Sequence, residues 1–522
     1  MAEKIQNGSN KLIEISELIK NKKNIIMKFI FPLEFILSLL IAYVMLRFVI
    51  IRNYSGYNSL KHIIMMGIFG FAILAIIIYN CKNSKGKIEK IVIGFLIPIG
   101  MLYLVFMLPS QVPDEQAHLR RAYEISEGVI IGRKDTISVI PRDLQTKIKP
   151  NLESYRQFSE NLAGQTDYND KVEVKNPAGT YPFILYIFSS IGFVISRLFS
   201  LNILIGCYLA KLMNFIVFLI AAYYTLKIIP FGKYAMTAIM FMPMFLHQAT
   251  STSADCIINI LSMVFIAYLL NLYFKEEKIK KREGILVIGL GVLLSIVKYV
   301  YLPIIGLAFI FIFSKNMSKK YKIILISTLV ILSIIAALGY YIFTTGYGTA
   351  FSNYFESNNV NTSEQIKGII NNPKGFLDTL NYTFKNMGET YIYQMVGIAL
   401  GWLCIYPNRI WITIYIITML ASCFIEKNKV AFNWKQKIWG CLISVVIILL
   451  IVTGMYLTWT KVGNIIVDGV QGRYFIPVAF VLLLCLCKKE NYIKIKNIEY
   501  KFPILLCLLN LPILNTIYHF FI

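Results

Sequence analysis

The sequence predicts an all-α polytopic membrane protein, a bundle of about 13 transmembrane helices with a large extracytoplasmic loop and juxtamembrane helices. Of the 522 residues, 57% are hydrophobic and only 15% are charged, whereas roughly 25% are charged in an ordinary soluble domain. Apolar runs recur along the chain, each close to the length of a helix that crosses a bilayer. Lysine-rich clusters separate these runs. This composition excludes a cytosolic enzyme, a fibrous protein and a disordered scaffold.

The net charge of +24, with 52 lysine and arginine residues, raises the question of nucleic-acid binding. The basic residues form short clusters between apolar runs and do not follow one face, so we expect no nucleic-acid partner. The positive-inside rule instead places these basic clusters in the cytoplasmic loops of a cell-membrane protein. Its partner is then the lipid bilayer. The frequent Lys, Ile and Asn residues indicate an AT-rich genome, as in a low-GC Gram-positive bacterium.

The N-terminal part of the chain predicts a cytoplasmic segment followed by three spans. Residues 1–28 are polar and lysine-rich, and the first apolar run is too long for a signal-peptide core. Spans are predicted at residues 29–51, 62–79 and 91–108, the first two forming an extra hairpin over 29–80. Three crossings from a cytoplasmic start place the residues after 108 outside.

The polar segment 110–176 differs in composition from the rest of the chain. It holds eleven of the 28 acidic residues and ten basic residues, so it is near neutral while the other loops are strongly positive. This balance is expected of an extracytoplasmic loop. A loop of this length is usually functional.

The charge of the loops, together with the number of spans between them, predicts on which side of the membrane each remaining loop lies. The most basic turn, 275–283, is expected in the cytoplasm, which places residues 176 and 202 both outside. The apolar stretch 181–198 is therefore predicted as a juxtamembrane or re-entrant helix. The later spans are predicted at 202–228, 231–247, 251–274, 284–297, 302–313, 323–343, 410–425, 438–458, 474–487 and 503–521. They give a core over 91–345, a second extracytoplasmic segment over 346–406 and C-terminal helices over 407–522.

Charged side chains at the outer span ends are candidates for chemistry, because a carboxylate there is costly unless it is paired, solvated or used. Asp114 and Glu115 follow the third span in the run PDEQAHLRRAY. Pro113 suits the first turn of a helix, and His118 and Arg121 then lie near Asp114 at i+4 and i+7 spacing. An acidic helix start stabilised by the helix dipole explains the same pattern without any function.

Five runs carry a resemblance to a known family: PDEQAHLRRAYEISEG, NPAGTYPFILY, PMFLHQATSTSADC, LSIVKYVYLP and DGVQGRYFIP. Their order resembles a family of bacterial predicted membrane proteins, long labelled as of unknown function, that is grouped with the GT-C glycosyltransferases. The resemblance covers Leu108 to Pro477, and PDE-x-x-H and QGRYF are its most specific parts. The extra hairpin over 29–80 departs from the family pattern and puts any role of Glu34 in doubt.

The resemblance implies a GT-C-like bundle and a reaction on the extracytoplasmic face. Such enzymes transfer a sugar from a polyprenyl-phosphate donor, here to a cell-envelope glycan or glycolipid acceptor. The hydroxyl of the acceptor is a poor nucleophile and needs a carboxylate to take its proton. Asp114 is the predicted general base, and Glu115 assists it or orients the acceptor.

The leaving lipid phosphate needs charge stabilisation, which arginine or lysine provides. Lys298 and Arg473 are the predicted phosphate ligands, with Arg121 and Arg120 behind them. Arginine suits bidentate phosphate recognition better than lysine. Each of the first two is equally explained as an interfacial anchor at a span end.

Further predicted substrate contacts are His118 and Arg120 of the loop, His247 and Asp255 around an outer turn, and Tyr299 and Tyr474. Asp255 is alternatively a helix N-cap, and the two tyrosines are alternatively interfacial aromatic residues.

No cofactor is expected. The nine cysteines, most of them in apolar runs, and the four scattered histidines form no metal or disulfide spacing. A divalent ion could bind Asp114 and Glu115, but clamping of the phosphate by arginine and lysine would make it unnecessary.

Two alternative functions stay open. An envelope polysaccharide polymerase or ligase would depend on arginines more than on an Asp-Glu pair. A transporter or flippase of lipid-linked sugars would need charges near the middle of the membrane, where Glu34 is the main candidate.

Overall fold

The computed structural model describes residues 29–45, 47–48, 59–148, 154–162, 164–345, 358–490 and 493–522. Most of these residues are helical. The predicted cytoplasmic segment 1–28, the last residues of the first predicted span and residues 346–357 of the second predicted extracytoplasmic segment lie outside the described residues.

The helices have the following bounds. They are α1 (Phe29–Met45), α2 (Ser59–Asn83), α3 (Ile88–Phe106), α4 (Glu115–Ser126), α5 (Arg142–Thr146), α6 (Tyr155–Glu160), α7 (Ile187–Leu198), α8 (Ile203–Ile228), α9 (Lys233–Met240), α10 (Pro243–Ala249), α11 (Ala254–Phe274), α12 (Lys281–Val297), α13 (Lys319–Thr345), α14 (Thr362–Asn371), α15 (Pro373–Val396), α16 (Arg409–Ser422), α17 (Trp434–Thr458), α18 (Ile476–Leu486) and α19 (Ile498–Phe520). Stretches of 3-10 helix cover Pro177–Thr180, Phe183–Leu185, Tyr299–Phe313 and Gly472–Phe475.

Seven helices among the described residues are long and apolar enough to cross a bilayer: α2, α3, α8, α11, α13, α17 and α19. The chain is therefore a multi-pass helical membrane protein. Helices α3, α8 and α11 are the most buried of the seven and form the centre of the bundle, whereas α2 is almost entirely exposed. The larger count of about 13 spans stays a prediction, because several predicted spans correspond to apolar helices of fewer than 18 residues.

The predicted span 231–247 is not one continuous helix, which corrects the sequence analysis. Helix α9 ends at Met240 and α10 begins at Pro243. Proline has no N–H to donate and restricts the residue before it to an extended conformation. Met242 accordingly has φ −58° and ψ 127°. The short helix α10 that results carries His247.

A second break separates α12 from the following 3-10 helix. Lys298 lies between them with an extended backbone, φ −164° and ψ 101°. This agrees with the predicted spans 284–297 and 302–313, which leave a connection at this position. The break places the Lys298 side chain at the same end of the bundle as the first turn of α11.

The described residues between α3 and α8, which are 107–148, 154–162 and 164–202, form a folded segment at one end of the bundle. This end of the bundle is called the loop end below. The segment contains α4 to α7 and a two-stranded antiparallel sheet, which the sequence analysis did not predict. The strands are β1 (Ile137–Pro141) and β2 (Lys171–Lys175), and Val139 pairs with Glu173. Tyr155 fastens the segment to α3, because its hydroxyl donates to the carbonyl of Phe106 at 2.9 Å.

Helix α7 lies within the predicted juxtamembrane stretch 181–198. Its 12 residues give a length of about 18 Å, less than the roughly 30 Å of a hydrocarbon core. Its buried face carries small residues, and a Cβ at Gly192 would lie 2.2 Å from the backbone nitrogen of Ala210 in α8. Phe188 and Leu198 are exposed, so the outward face of α7 is apolar and suited to lipid.

Candidate functional site

Four charged side chains meet at the loop end in the order Asp114, Arg473, Asp255, Lys298, called the charged cluster below. Arg473 Nη2 donates to Asp114 Oδ2 at 3.0 Å, and Arg473 Nε lies 3.4 Å from Asp255 Oδ2. Lys298 Nζ lies 3.5 Å from Asp255 Oδ1. Each residue stands where a helix begins or breaks, and the two carboxylates balance the two cations.

Arg473 is the centre of the charged cluster. Its side chain is only 4% exposed, and its Nη1 also donates to the carbonyl of Pro113 at 3.3 Å. A buried guanidinium is tolerated where carboxylates and hydrogen bonds compensate for the lost water. Its Nε has no hydrogen-bond partner among the described residues, although Asp255 is near. The guanidinium therefore keeps one N–H that a ligand could use.

Tyr474 lies between the two cations of the cluster. Lys298 Nζ is 4.5 Å from the centre of its ring, and the Arg473 guanidinium carbon is 5.3 Å from it. Such cation–π contacts stabilise a positive charge without neutralising it. Tyr301 stabilises the position of Tyr474, because its hydroxyl donates to the carbonyl of Tyr474 at 2.8 Å.

Asp114 is the accessible carboxylate of the cluster. Its side chain is 53% exposed, whereas that of Asp255 is 11% exposed. Its backbone is left-handed, with φ 65°, and its side chain does not cap α4. Aspartate adopts this region more readily than most residues, and strained backbone of this kind is concentrated at functional sites. A substrate could therefore reach the Asp114 carboxylate.

His118 lies one turn after Asp114 and is buried against two tyrosines. The hydroxyl of Tyr186 is 2.6 Å from Nδ1, and the ring of Tyr181 meets the imidazole edge-on at 5.5 Å. Burial lowers the pKa of His118 to about 4, although Asp114 and Asp255 act in the opposite direction. His118 is therefore neutral at pH 7 and contributes hydrogen bonding but no charge.

The structure turns Glu115 away from the cluster. Its carboxylate is fully buried; Oε1 accepts from the backbone N–H and hydroxyl of Thr252 at 3.0 and 3.3 Å, and Oε2 accepts from the Val112 N–H at 3.4 Å. Charge-assisted hydrogen bonds of this kind are strong. Glu115 thus holds the turn before α11 in place, and the predicted pairing of Asp114 and Glu115 around a substrate or an ion does not form.

Arg121 and Arg120 contact the loop fold and not the cluster, because the terminal nitrogens of both guanidinium groups donate to partners within the loop, whereas the Nε of each has no hydrogen-bond partner among the described residues. Arg121 donates to the carbonyls of Val129 and Ile130 at 3.1 and 2.7 Å. Arg120 donates to Gln145 Oε1 at 2.6 Å. Both side chains therefore support the loop fold in this structure, and the predicted phosphate contact of Arg121 and substrate contact of Arg120 stay predictions.

Of the remaining predicted residues, Asp255 belongs to the cluster, whereas His247 and Tyr299 contact other partners. Ser253, not Asp255, caps α11, which leaves the Asp255 carboxylate to the two cations. His247 is buried, and its Nε2 accepts from the N–H of Gly401 at 3.2 Å. Tyr299 is 61% exposed and packs edge-on against Tyr341, a position typical of an interfacial aromatic residue.

Sequence reasoning missed the glutamines beside Arg473. Gln248, Gln394 and Gln471 line a small cleft there, and Gln471 belongs to the QGRYF run. Gly472 lets this run approach α15, because a Cβ on it would lie 2.3 Å from the backbone nitrogen of Met395. Its N–H donates to Gln394 Oε1 at 3.1 Å. In the sequence, the glycine between Gln471 and Arg473 was the signal that could have indicated this close approach.

In the described part of the chain, no group of three or more His, Cys, Asp or Glu side chains is arranged to hold a metal ion. Whether a divalent ion takes part stays a prediction.

The fold and the site define a multi-pass helical membrane protein with a charged cluster at one end of its bundle. The chain belongs to the family described as predicted membrane protein (DUF2142), whose family model matches residues 95–482. That range contains the whole charged cluster and leaves α1 and α2 outside it. Comparisons with curated proteins and with solved structures gave no significant match.

Proposed function

We propose that the protein is an integral membrane glycosyltransferase that transfers a sugar from a polyprenyl-phosphate donor to an extracytoplasmic glycan or glycolipid of the cell envelope. The observation that carries the proposal is the half-exposed carboxylate of Asp114 at 3.0 Å from the buried guanidinium of Arg473. A base and a cation in contact suit a reaction in which a hydroxyl loses a proton while a phosphate departs. The near-neutral charge of the loop supports an outer location for this end of the bundle.

Lys298 and Arg473 are the proposed ligands of the donor phosphate. The Lys298 side chain is 26% exposed and its distance to Asp255 is 3.5 Å, so a phosphate oxygen could replace that long contact. Arg473 offers a planar set of donors. Tyr299, exposed at the rim, would lie beside the lipid chain of the donor.

The proposed reaction is a single displacement at the anomeric carbon. The acceptor oxygen forms the new bond to carbon, its proton passes to Asp114, and the bond from carbon to the phosphate oxygen breaks with its electron pair. The phosphate leaves as an anion held by Arg473 and Lys298. Phosphate binding competes with Asp114 for Arg473, so the donor itself would release the carboxylate to act as a base.

The test is transfer of labelled sugar from a panel of synthetic polyprenyl-phosphate sugars by the purified protein in nanodiscs. We expect turnover with one donor, and a donor KM raised about tenfold or more by Lys298→Gln. Lys461→Gln, at an exposed lysine outside the cluster, is the matched control and should leave the KM unchanged. Absence of turnover with every donor would contradict the proposal.

A second candidate, transport of a lipid-linked sugar, is favoured by Glu34. Its carboxylate is fully buried, and neither oxygen has a hydrogen-bond partner within the described part of the chain. A Cβ on Gly94 of α3 would lie 3.6 Å from both oxygens and 2.8 Å from Asn80 Nδ2, so these groups meet between helices. An ionisable residue inside the membrane is commonly functional. Loss of activity in Glu34→Gln with full activity in Asp114→Asn would favour transport.

A further inference from the structure

Lys211 is a buried cation inside a membrane-spanning helix, and the proposed reaction assigns no role to it. It lies eight residues after Ile203, the first residue of α8, and is fully buried. A charged side chain inside a span is costly unless it is paired, and such residues commonly serve the function of the protein. The contacts of Lys211 therefore indicate what it does.

The ammonium group of Lys211 caps the end of α3. Its Nζ donates to the carbonyls of Leu104 at 3.2 Å and Met107 at 2.5 Å. It also lies 5.1 Å from the centre of the Tyr208 ring. Helix α3 ends at Phe106, and the last carbonyls of a helix have no partner within it. A cation is favoured at this negative end of the helix dipole, so Lys211 ties the end of α3 to α8.

The capped end of α3 leads directly into the turn that carries Asp114, which follows seven residues after Met107. Glu115 holds the far end of this turn, because its buried carboxylate accepts from the N–H of Val112 and from the turn before α11. The Glu115 carboxylate also interacts electrostatically with Lys211. A buried cation at one end and a buried anion at the other therefore fix the path of this turn.

The same face of α8 holds the segment that carries Asp255. Asn214 lies three residues after Lys211, on the same face of the helix, and its Nδ2 donates to the carbonyl of Ser251 at 2.9 Å. Asp255 follows in the first turn of α11. Helix α8 therefore sets the positions of both carboxylates of the charged cluster. The two cations belong to other segments, at the break after α12 and in the 3-10 helix before α18.

We infer that Lys211 is a positioning residue, which fixes the turn after α3 so that the Asp114 carboxylate meets the acceptor hydroxyl. Because Lys211 is fully buried, it acts through Asp114 and not by contact with a substrate. The inference rests on the proposed function and adds a residue within the span α8 to it. Displacement of a reacting group by about 1 Å costs roughly 10²-fold in rate. We therefore expect Lys211 to affect the transfer step more than the binding of the donor.

The experiment is a double-mutant cycle of sugar transfer in nanodiscs, with Lys211→Met, Asp114→Asn and the two changes combined. Methionine keeps most of the length and volume of the lysine side chain and removes its charge and hydrogen bonds. Single-turnover rates are divided by the amount of donor bound, so that unfolded protein does not count. Lys227→Met, at an exposed lysine in the last turn of α8, is the matched control. Lys211→Gln, which keeps a hydrogen-bond donor, is the second variant if Lys211→Met binds no donor.

We expect Lys211→Met to lower the transfer rate at least about tenfold when Asp114 is present, with a donor affinity within about threefold of the wild type. In the Asp114→Asn background the same change should lower the rate less than about threefold, because residues that act through one group are not additive. The control should transfer at the wild-type rate.

An equal loss in both backgrounds, or a wild-type rate in Lys211→Met, overturns the inference and leaves the proposed function standing. Loss of donor binding in both Lys211→Met and Lys211→Gln also overturns it, because Lys211 would then serve the whole fold. Absence of transfer by the wild type with every donor overturns the proposed function and the inference with it.

Discussion

His118 is expected to make the protein less stable as the pH falls from 7.5 to 5. The imidazole is 6% exposed and lies 2.6 Å from the Tyr186 hydroxyl. Burial lowers its pKa from 6.5 to about 4, with Arg473 and Lys298 acting in the same direction and Asp114 and Asp255 against it. Because the folded-state pKa lies below the unfolded-state value, the unfolded chain binds more protons between these two values.

The size of the effect follows from the two pKa values. The stability contributed by neutral His118 is complete above about pH 6.5 and is lost as the pH falls towards 4. The full difference between the two pKa values corresponds to about 3 kcal/mol, of which about 2 kcal/mol is lost by pH 5. Exposed histidines would show no comparable loss.

The assay is thermal unfolding at pH 7.5 and pH 5 of the wild type, His118→Gln and the control His519→Gln, whose side chain is exposed. The wild type and the control should lose more stability on acidification than His118→Gln, by about 2 kcal/mol. Identical pH dependence in the wild type and His118→Gln would refute the reasoning. It would mean that His118 is not a buried neutral group.

Three further predictions concern the loop, the glycine contact and metal use. Arg121→Lys should lower the melting temperature, because Lys cannot reproduce both hydrogen bonds to the loop carbonyls, while affinity for the polyprenyl-phosphate donor stays unchanged; weaker donor binding at an unchanged melting temperature would speak against this. Gly472→Ala should reduce sugar transfer at least about tenfold. The added Cβ would clash with the backbone of Met395 and displace the segment that contains Arg473. Wild-type turnover in this variant would show that the segment is not closely held. EDTA should leave turnover unchanged, and a loss restored by Mg²⁺ would contradict the expectation of no essential metal.

The sequence analysis named all four members of the charged cluster as candidates but could not show how they pair. Asp114, Asp255, Lys298 and Arg473 are each recognisable as charged residues at span ends. Which span ends are neighbours depends on packing, and the pair Arg473 and Asp114 is separated by 359 residues. Hydropathy and charge parity carry no information about such contacts.

Helical spacing did not reveal the contacts of the residues around Asp114. The i+7 position favoured Arg121 as a member of the site, but the returning backbone at Val129 and Ile130 captures its guanidinium. Glu115 is adjacent to Asp114 in sequence, yet its contacts are decided by Thr252 in a distant turn. In both cases a long-range backbone group outweighed the local pattern.

Other differences had a signal in the sequence. Pro243 interrupts the run 231–247, and a proline inside an apolar run can break a helix in a way that average hydropathy does not register, although α3 continues through Pro98 and α19 through Pro512. The run KVEVK at 171–175 alternates apolar and charged residues with the period of a strand. Residues 231–247 were assigned by apolar length and the loop by its charge, so neither signal entered the prediction.

The most direct test of Asp114 as general base is sugar transfer by Asp114→Asn, measured together with its affinity for the donor. The substitution keeps the shape of the side chain and an oxygen for Arg473, and it removes the base. We predict a transfer rate lowered about 10²- to 10⁴-fold with donor affinity largely retained. The control is Asp468→Asn, at an exposed aspartate that accepts a hydrogen bond from Asn464, and it should transfer at the wild-type rate. Transfer by Asp114→Asn within a few-fold of the wild type would contradict the account.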